Sequence, residues 1–141
     1  MTRVKRIALR TILSILIVIT ALWLLGRCSQ DFGIRAMMSQ VISAGEPARG
    51  QIEAFYQQHK RLPRDAAEAE LDLRSPSRYG EPIYYDGGRG ELRIVARDLG
   101  GEADGKSIVL RAEVSSGKLV WICGSYDMPA KYRGGSCSWT P

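Results

Sequence analysis

Hydrophobic residues change their spacing twice along this chain, and each change marks a different element. Residues 7–25, IALRTILSILIVITALWLL, are apolar almost throughout, with one charge, Arg10. At about 1.5 Å of rise per residue such a helix spans about 28 Å, close to the hydrocarbon thickness of a bilayer. From residue 34 to residue 59 the apolar positions recur every three or four residues: Ile34, Met37/Met38, Val41/Ile42, Ala48, Ile52, Phe55/Tyr56 and His59. That spacing predicts an amphipathic helix nearly continuous with the membrane segment. Gly45-Glu46-Pro47 should kink or break it, and Leu62-Pro63 should end it.

Residues 64–81 are polar and irregular, a connection of about eighteen residues with room for a helical turn in DAAEAE at 65–70. A connection that long should carry a function or pack as a structured loop. Beyond it the period becomes two. Strands are expected at 82–86, 91–98, 106–114 and 118–123, with turns at Gly87-Gly88-Arg89-Gly90 and Ser115-Ser116-Gly117. Leu92, Ile94 and Ala96 share one face, and Ile108, Leu110, Ala112 and Val114 are expected inward. The fold class is therefore α+β: a long helix, half transmembrane and half amphipathic, packed on a three- or four-stranded antiparallel sheet.

Charge looks at first like a nucleic-acid signal, since the chain carries a formal net charge of +5. Five basic residues, Arg3, Lys5, Arg6, Arg10 and Arg27, flank or border the apolar run. Beyond residue 28 fifteen Lys/Arg face fifteen Asp/Glu. The excess thus belongs to the membrane segment, and nucleic acid is not expected as a partner. Four of the five precede the run or lie in its first turn, so the positive-inside rule puts the N-terminus in the cytoplasm. The expected division is residues 1–27 as cytoplasmic start and anchor, and residues 28–141 as a periplasmic domain. A cleavable signal and a lipidated Cys28 are the competing readings; Leu25-Gly26-Arg27-Cys28 suits neither well.

Outside the membrane a disulfide persists. Cys123 and Cys137 would close a loop of fifteen residues. Two free thiols or a metal site are the other readings, and the metal has only one distant histidine and no C-x-x-C to draw on. Catalysis has as little support: His59 is the only histidine, the carboxylates are interleaved with basic residues, and GGRG at 87–90 lacks the strand–loop–helix setting of a phosphate cradle. No cofactor, no metal and no enzymatic activity are expected. Tyr84, Tyr85, Trp121, Tyr126, Tyr132 and Trp139, with Arg89, Arg93 and Arg97, would form a binding surface if they met on one face. Core aromatics and solvated arginines are the simpler expectation.

Together these features resemble the type IV pilins. Residues 35–63, RAMMSQVISAGEPARGQIEAFYQQHKRLP, look like the exposed half of the pilin helix, with Phe55-Tyr56 and Leu62-Pro63 in place. GKSIVL at 105–110 resembles a pilin strand that follows a glycine. Trp121-Ile122-Cys123 resembles the opening of the family's disulfide region, and Lys131-Tyr132 five positions before Cys137 its close, with Arg133-Gly134 where Leu-Pro is usual. The resemblance implies a disulfide between Cys123 and Cys137 and pilin subunits or pilus assembly proteins as partners, beside inner-membrane lipid. Pilins also carry a short basic leader cut by a prepilin peptidase and a glutamate near the start of the helix that registers subunits. Here the apolar run begins at once and no acidic residue precedes Asp31. The expectation is therefore an uncut, single-pass inner-membrane protein, an atypical minor pilin or accessory that also reaches the pilus if it assembles. A membrane-resident binding module for DNA or a surface polymer, or a regulator that sequesters pilin subunits, is the alternative.

Overall fold

The structure, a computed structural model, describes residues 3–140, and the side chains of residues 3–6, 27, 28 and 30 lie outside that description. The expectations placed on Arg3, Lys5, Arg6, Arg27 and Cys28 therefore fall outside the described residues. The chain separates into two compact units, Met1–Gly33 and Ile34–Pro141.

Helix α1, Arg3–Ser43, supplies the whole of the described first unit. Its residues 7–26 are exposed on every side, Ile7, Leu13, Val18, Leu22 and Trp23 among them. A helix apolar all round is not a surface helix of a water-soluble domain. It is long and apolar enough to cross a membrane. Its hydroxyls are spent internally: Thr11 donates to Ala8 O, Ser14 to Arg10 O and Thr20 to Ile17 O. No backbone or hydroxyl donor there then depends on water, which hydrocarbon could not supply.

In the second unit the remainder of α1 and helix α2, Glu46–His59, supply the apolar stripe. Ile34, Met38, Val41, Ala44, Ala48, Ile52, Phe55 and Tyr56 are buried. The stripe ends one turn earlier than expected: His59 is exposed and only stacks on Phe55, ring centroids 4.2 Å apart. The expected break falls between Ser43 and Glu46. Pro47 stands in the first turn of α2, where its missing N–H is no loss. A Cβ on Gly45 would come within 2.7 Å of Ile94 Cδ1 and 3.1 Å of Leu110 Cδ1, so the chain crosses the sheet here without a side chain. Lys60, in the left-handed conformation, closes α2 by donating its N–H to Tyr56 O.

The sheet is a four-stranded antiparallel meander in the order β1-β2-β3-β4: Gly80–Asp86, Glu91–Ala96, Ser107–Ser115 and Lys118–Gly124. Register pairs Ile83 with Ile94, Leu92 with Leu110, Ile94 with Ile108, and Leu110 with Cys123. These positions meet the helix stripe in one core, joined by Leu99 from the β2–β3 loop and Ala103 from a 3-10 turn at Gly101–Ala103. The β3–β4 hairpin turns on Ser116 and Gly117, both with positive φ, the conformation whose twist matches that of antiparallel strands. Val114 departs from expectation at 53% exposed, although it shares the inner face with Ala112. It lies one pair before the turn of the hairpin, opposite Leu119, past the buried stretch of β3.

Candidate functional site

Two regions of the second unit are built from loops held by specific bonds. The first is the connection, residues 60–79. It forms hydrogen-bonded turns at 66–70 rather than a helix. Glu68 organises it: the carboxylate accepts from Arg61 Nη1 at 3.0 Å and from Arg64 N at 2.6 Å, while its own N–H donates to Asp65. The Arg61 guanidinium beside it, with the Arg64 amide, holds the Glu68 carboxyl down at about 2. Arg74 similarly lowers Asp72. Gln51 of α2 fastens the connection from below, accepting from Asp72 N at 2.6 Å and donating to Glu70 O at 3.1 Å.

Tyr85 fastens it from the sheet, its phenol donating to Pro63 O at 2.9 Å. Burial pushes that phenol up to about 12, with Asp86 and Glu68 adding to the effect. A pKa raised in the folded state favours folding below the unfolded value of about 10 and withdraws that contribution as pH rises toward 12. With the discount for a half-exposed group, the loss is on the order of 1 kcal/mol. Urea unfolding at pH 8 and pH 11 should show an alkaline fall in stability that shrinks in Tyr85→Phe. An equal fall in both proteins would assign it elsewhere.

The second region is the tail. Cys123, on the inner face at the end of β4, is joined by a disulfide to Cys137, which is buried. The sequence suggests a tail held by that bond alone, with no further regular element. The structure corrects this. Ala130–Arg133 form a short helix, α3, which buries Met128 and Tyr132 in the core. Trp139 then pairs with Gly124 as a parallel bridge: Ser125 N donates to Trp139 O at 3.1 Å, and Trp139 N donates to Cys123 O at 3.3 Å. Only glycine fits at 124, since a Cβ would sit 2.2 Å from Trp139 O. Ser125 makes the corner, its hydroxyl donating to Ser107 O and accepting from Met128 N.

From that corner the tail crosses the outer face of the sheet. Asp127 accepts from Ser107 N at 2.9 Å, and Tyr126 donates to Glu91 at 2.9 Å. Glu91 is buried and paired: Arg111 Nε and Nη2 donate to it at 2.9 and 2.6 Å. That bond raises Arg111 further above its ordinary value. The Arg111 guanidinium lies 3.9 Å from the centre of the Trp139 ring. Val109, beneath this lid, is buried on the face that period-two reasoning exposes.

The aromatic set singled out in the sequence divides accordingly. Tyr132 is core, Tyr85 fastens the connection, and Trp121 donates to Glu53 of α2 at 2.8 Å. Tyr84 and Tyr126 remain largely exposed and line one groove with Arg89 and Arg93; Arg97 does not join them.

A long apolar N-terminal helix, an amphipathic helix on an antiparallel meander, and a disulfide-closed tail define the α+β architecture of a pilus-type subunit. Residues 34–138 match the family model of pilin, the bacterial filament protein, so the chain belongs to the pilin family. The type IV major pilin protein PilE of Neisseria gonorrhoeae is 24% identical over 120 residues, covering 81% of this chain and 72% of that protein. A fimbrial protein of Neisseria meningitidis serogroup B (strain ATCC BAA-335 / MC58) is 23% identical over 120 residues, covering 81% and 71%. The family is a structural one.

Proposed function

We propose that this chain is a non-enzymatic, membrane-anchored component of a type IV pilus system, acting as an atypical minor pilin or accessory. Residues 1–27 hold it in the bacterial inner membrane with the N-terminus cytoplasmic, and residues 28–141 form a periplasmic domain. It acts by association. The apolar helix is available to lipid or to the helices of pilin subunits, and the connection and stapled tail meet neighbouring subunits or assembly proteins. The observation that carries this is the pilin match over residues 34–138, preceded by an apolar helix exposed all round. The minor or accessory role draws support from the lack of any carboxylate before Asp31, where the pilins it resembles keep a registering glutamate. A carboxylate in lipid costs a few kcal/mol and is kept when it has a task.

The test is quantitative fractionation of cells carrying the chain. The expected result is recovery in the inner membrane, co-purification with pilin subunits in detergent, and a share of sheared filaments far below that of the main subunit. Parity with the main subunit in filaments would refute the accessory role. Absence from both membrane and filaments would refute the whole reading.

A further inference from the structure

Across the outer face of the sheet runs a groove of about 540 Å³, within the range of small-ligand sites. Tyr84 of β1 and Tyr126 of the tail line it at 54% and 42% exposure, with Arg93 and Val95 of β2 and Arg89 of the β1–β2 turn. The phenol of Tyr126 is anchored on Glu91, a carboxylate 5% exposed that Arg111 holds with two bonds. An ion pair with a buried carboxylate therefore fixes an aromatic ring whose body is left open to solvent. Burying charge is costly, and core packing does not require this arrangement at an exposed ring.

The polar groups are equally placed. Arg93 gives Nε to Ser107 Oγ at 3.1 Å, and its Nη groups have no protein partner among the described residues. Arg89 approaches Asp86 at 3.9 Å and Tyr126 Oη at 3.4 Å, both loose contacts. The charges of the lining balance: Arg89 and Arg93 stand against Asp86 and Glu91, and Arg111, paired with Glu91, is offset by Asp127, whose carboxylate is bonded to Ser107 beside Arg93. A phosphodiester backbone needs an excess of positive charge, which this groove lacks.

We propose that the groove is a saccharide site that takes a neutral hexopyranose oligosaccharide. The C–H face of a pyranose ring is apolar and suits the tyrosine faces, while its vicinal hydroxyls suit the planar forks of arginine and the carboxylate of Asp86. This goes beyond the pilus reading and does not depend on it; failure here would leave the fractionation result untouched.

The test uses the full chain in detergent micelles, with cellotetraose, maltotriose and chitotriose as probes and oligothymidylate and a heparin fragment as anionic comparisons. Binding is read by saturation-transfer NMR and titration. At least one neutral oligosaccharide should bind, about tenfold more weakly in Tyr84→Ala and in Arg93→Gln, the effect of losing one ring or one fork. Tyr84 is exposed, so its variant should melt like the wild type, and Val114→Ser on the opposite face should bind unchanged. No sugar binding, unchanged binding in both groove variants, or tighter binding of the anionic probes at this groove would overturn the assignment.

Discussion

Replacing both Cys123 and Cys137 with serine is expected to lower the melting temperature of the folded unit by roughly 12 °C. A fifteen-residue loop closed by a disulfide contributes about 3 kcal/mol through the entropy it removes from the unfolded chain, and a unit of about a hundred residues loses roughly 4 °C per kcal/mol. The tail should not detach entirely, because Met128 and Tyr132 are buried and Trp139 is bonded to Cys123 and Ser125. Calorimetry of the oxidised wild type and the double variant measures the fall, and limited proteolysis reports where it is spent. Cleavage should concentrate within residues 124–136. A drop under about 3 °C, with no new cleavage there, would show that the noncovalent contacts alone hold the tail.

Ile94→Ala should cost more, about 3–4 kcal/mol, because it removes three methyl(ene) carbons from a fully buried position in the middle of the sheet. The geometry at the helix break sharpens this expectation. Ile94 Cδ1 occupies the space a Cβ at Gly45 would need, so Gly45→Ala alone should also destabilise, by roughly 1–3 kcal/mol through overpacking. In the double variant the new methyl enters the cavity left by isoleucine. The two changes should therefore cost at least about 1 kcal/mol less together than their sum. Denaturant unfolding of the four proteins gives that coupling directly. Strict additivity would mean that Ile94 and Gly45 do not share the space.

How much of this could be read from residues alone depended on whether the signal was local. The switch from a period near 3.6 to a period of 2 marked α1, α2 and all four strands but not α3, and Gly45-Glu46-Pro47 marked the break, because proline and glycine act on their own backbone. The shared inner face of Leu92, Ile94, Ala96, Ile108, Leu110 and Ala112 followed from alternation. Val109 and Val114 did not, since alternation assigns a face and not what covers it. A lid from the tail buries Val109, while Val114 lies past the buried end of its strand. The bridge from Trp139 to Gly124 had one faint trace, the glycine at the end of β4, whose need for close approach shows only when the partner is known. The groove was legible as a list of aromatics and arginines. It took three-dimensional pairing to drop Arg97 and to withdraw Trp121 and Tyr132.

By pairing Trp139 with Gly124, the chain also caps one end of its outer strand, β4. The far rim, β1, carries Pro82 and a register shift between Gly80 and Ile83, features that make a poor template for an incoming strand. At both places the backbone is a weak template for another strand, which disfavours amyloid-like stacking of neighbouring copies there.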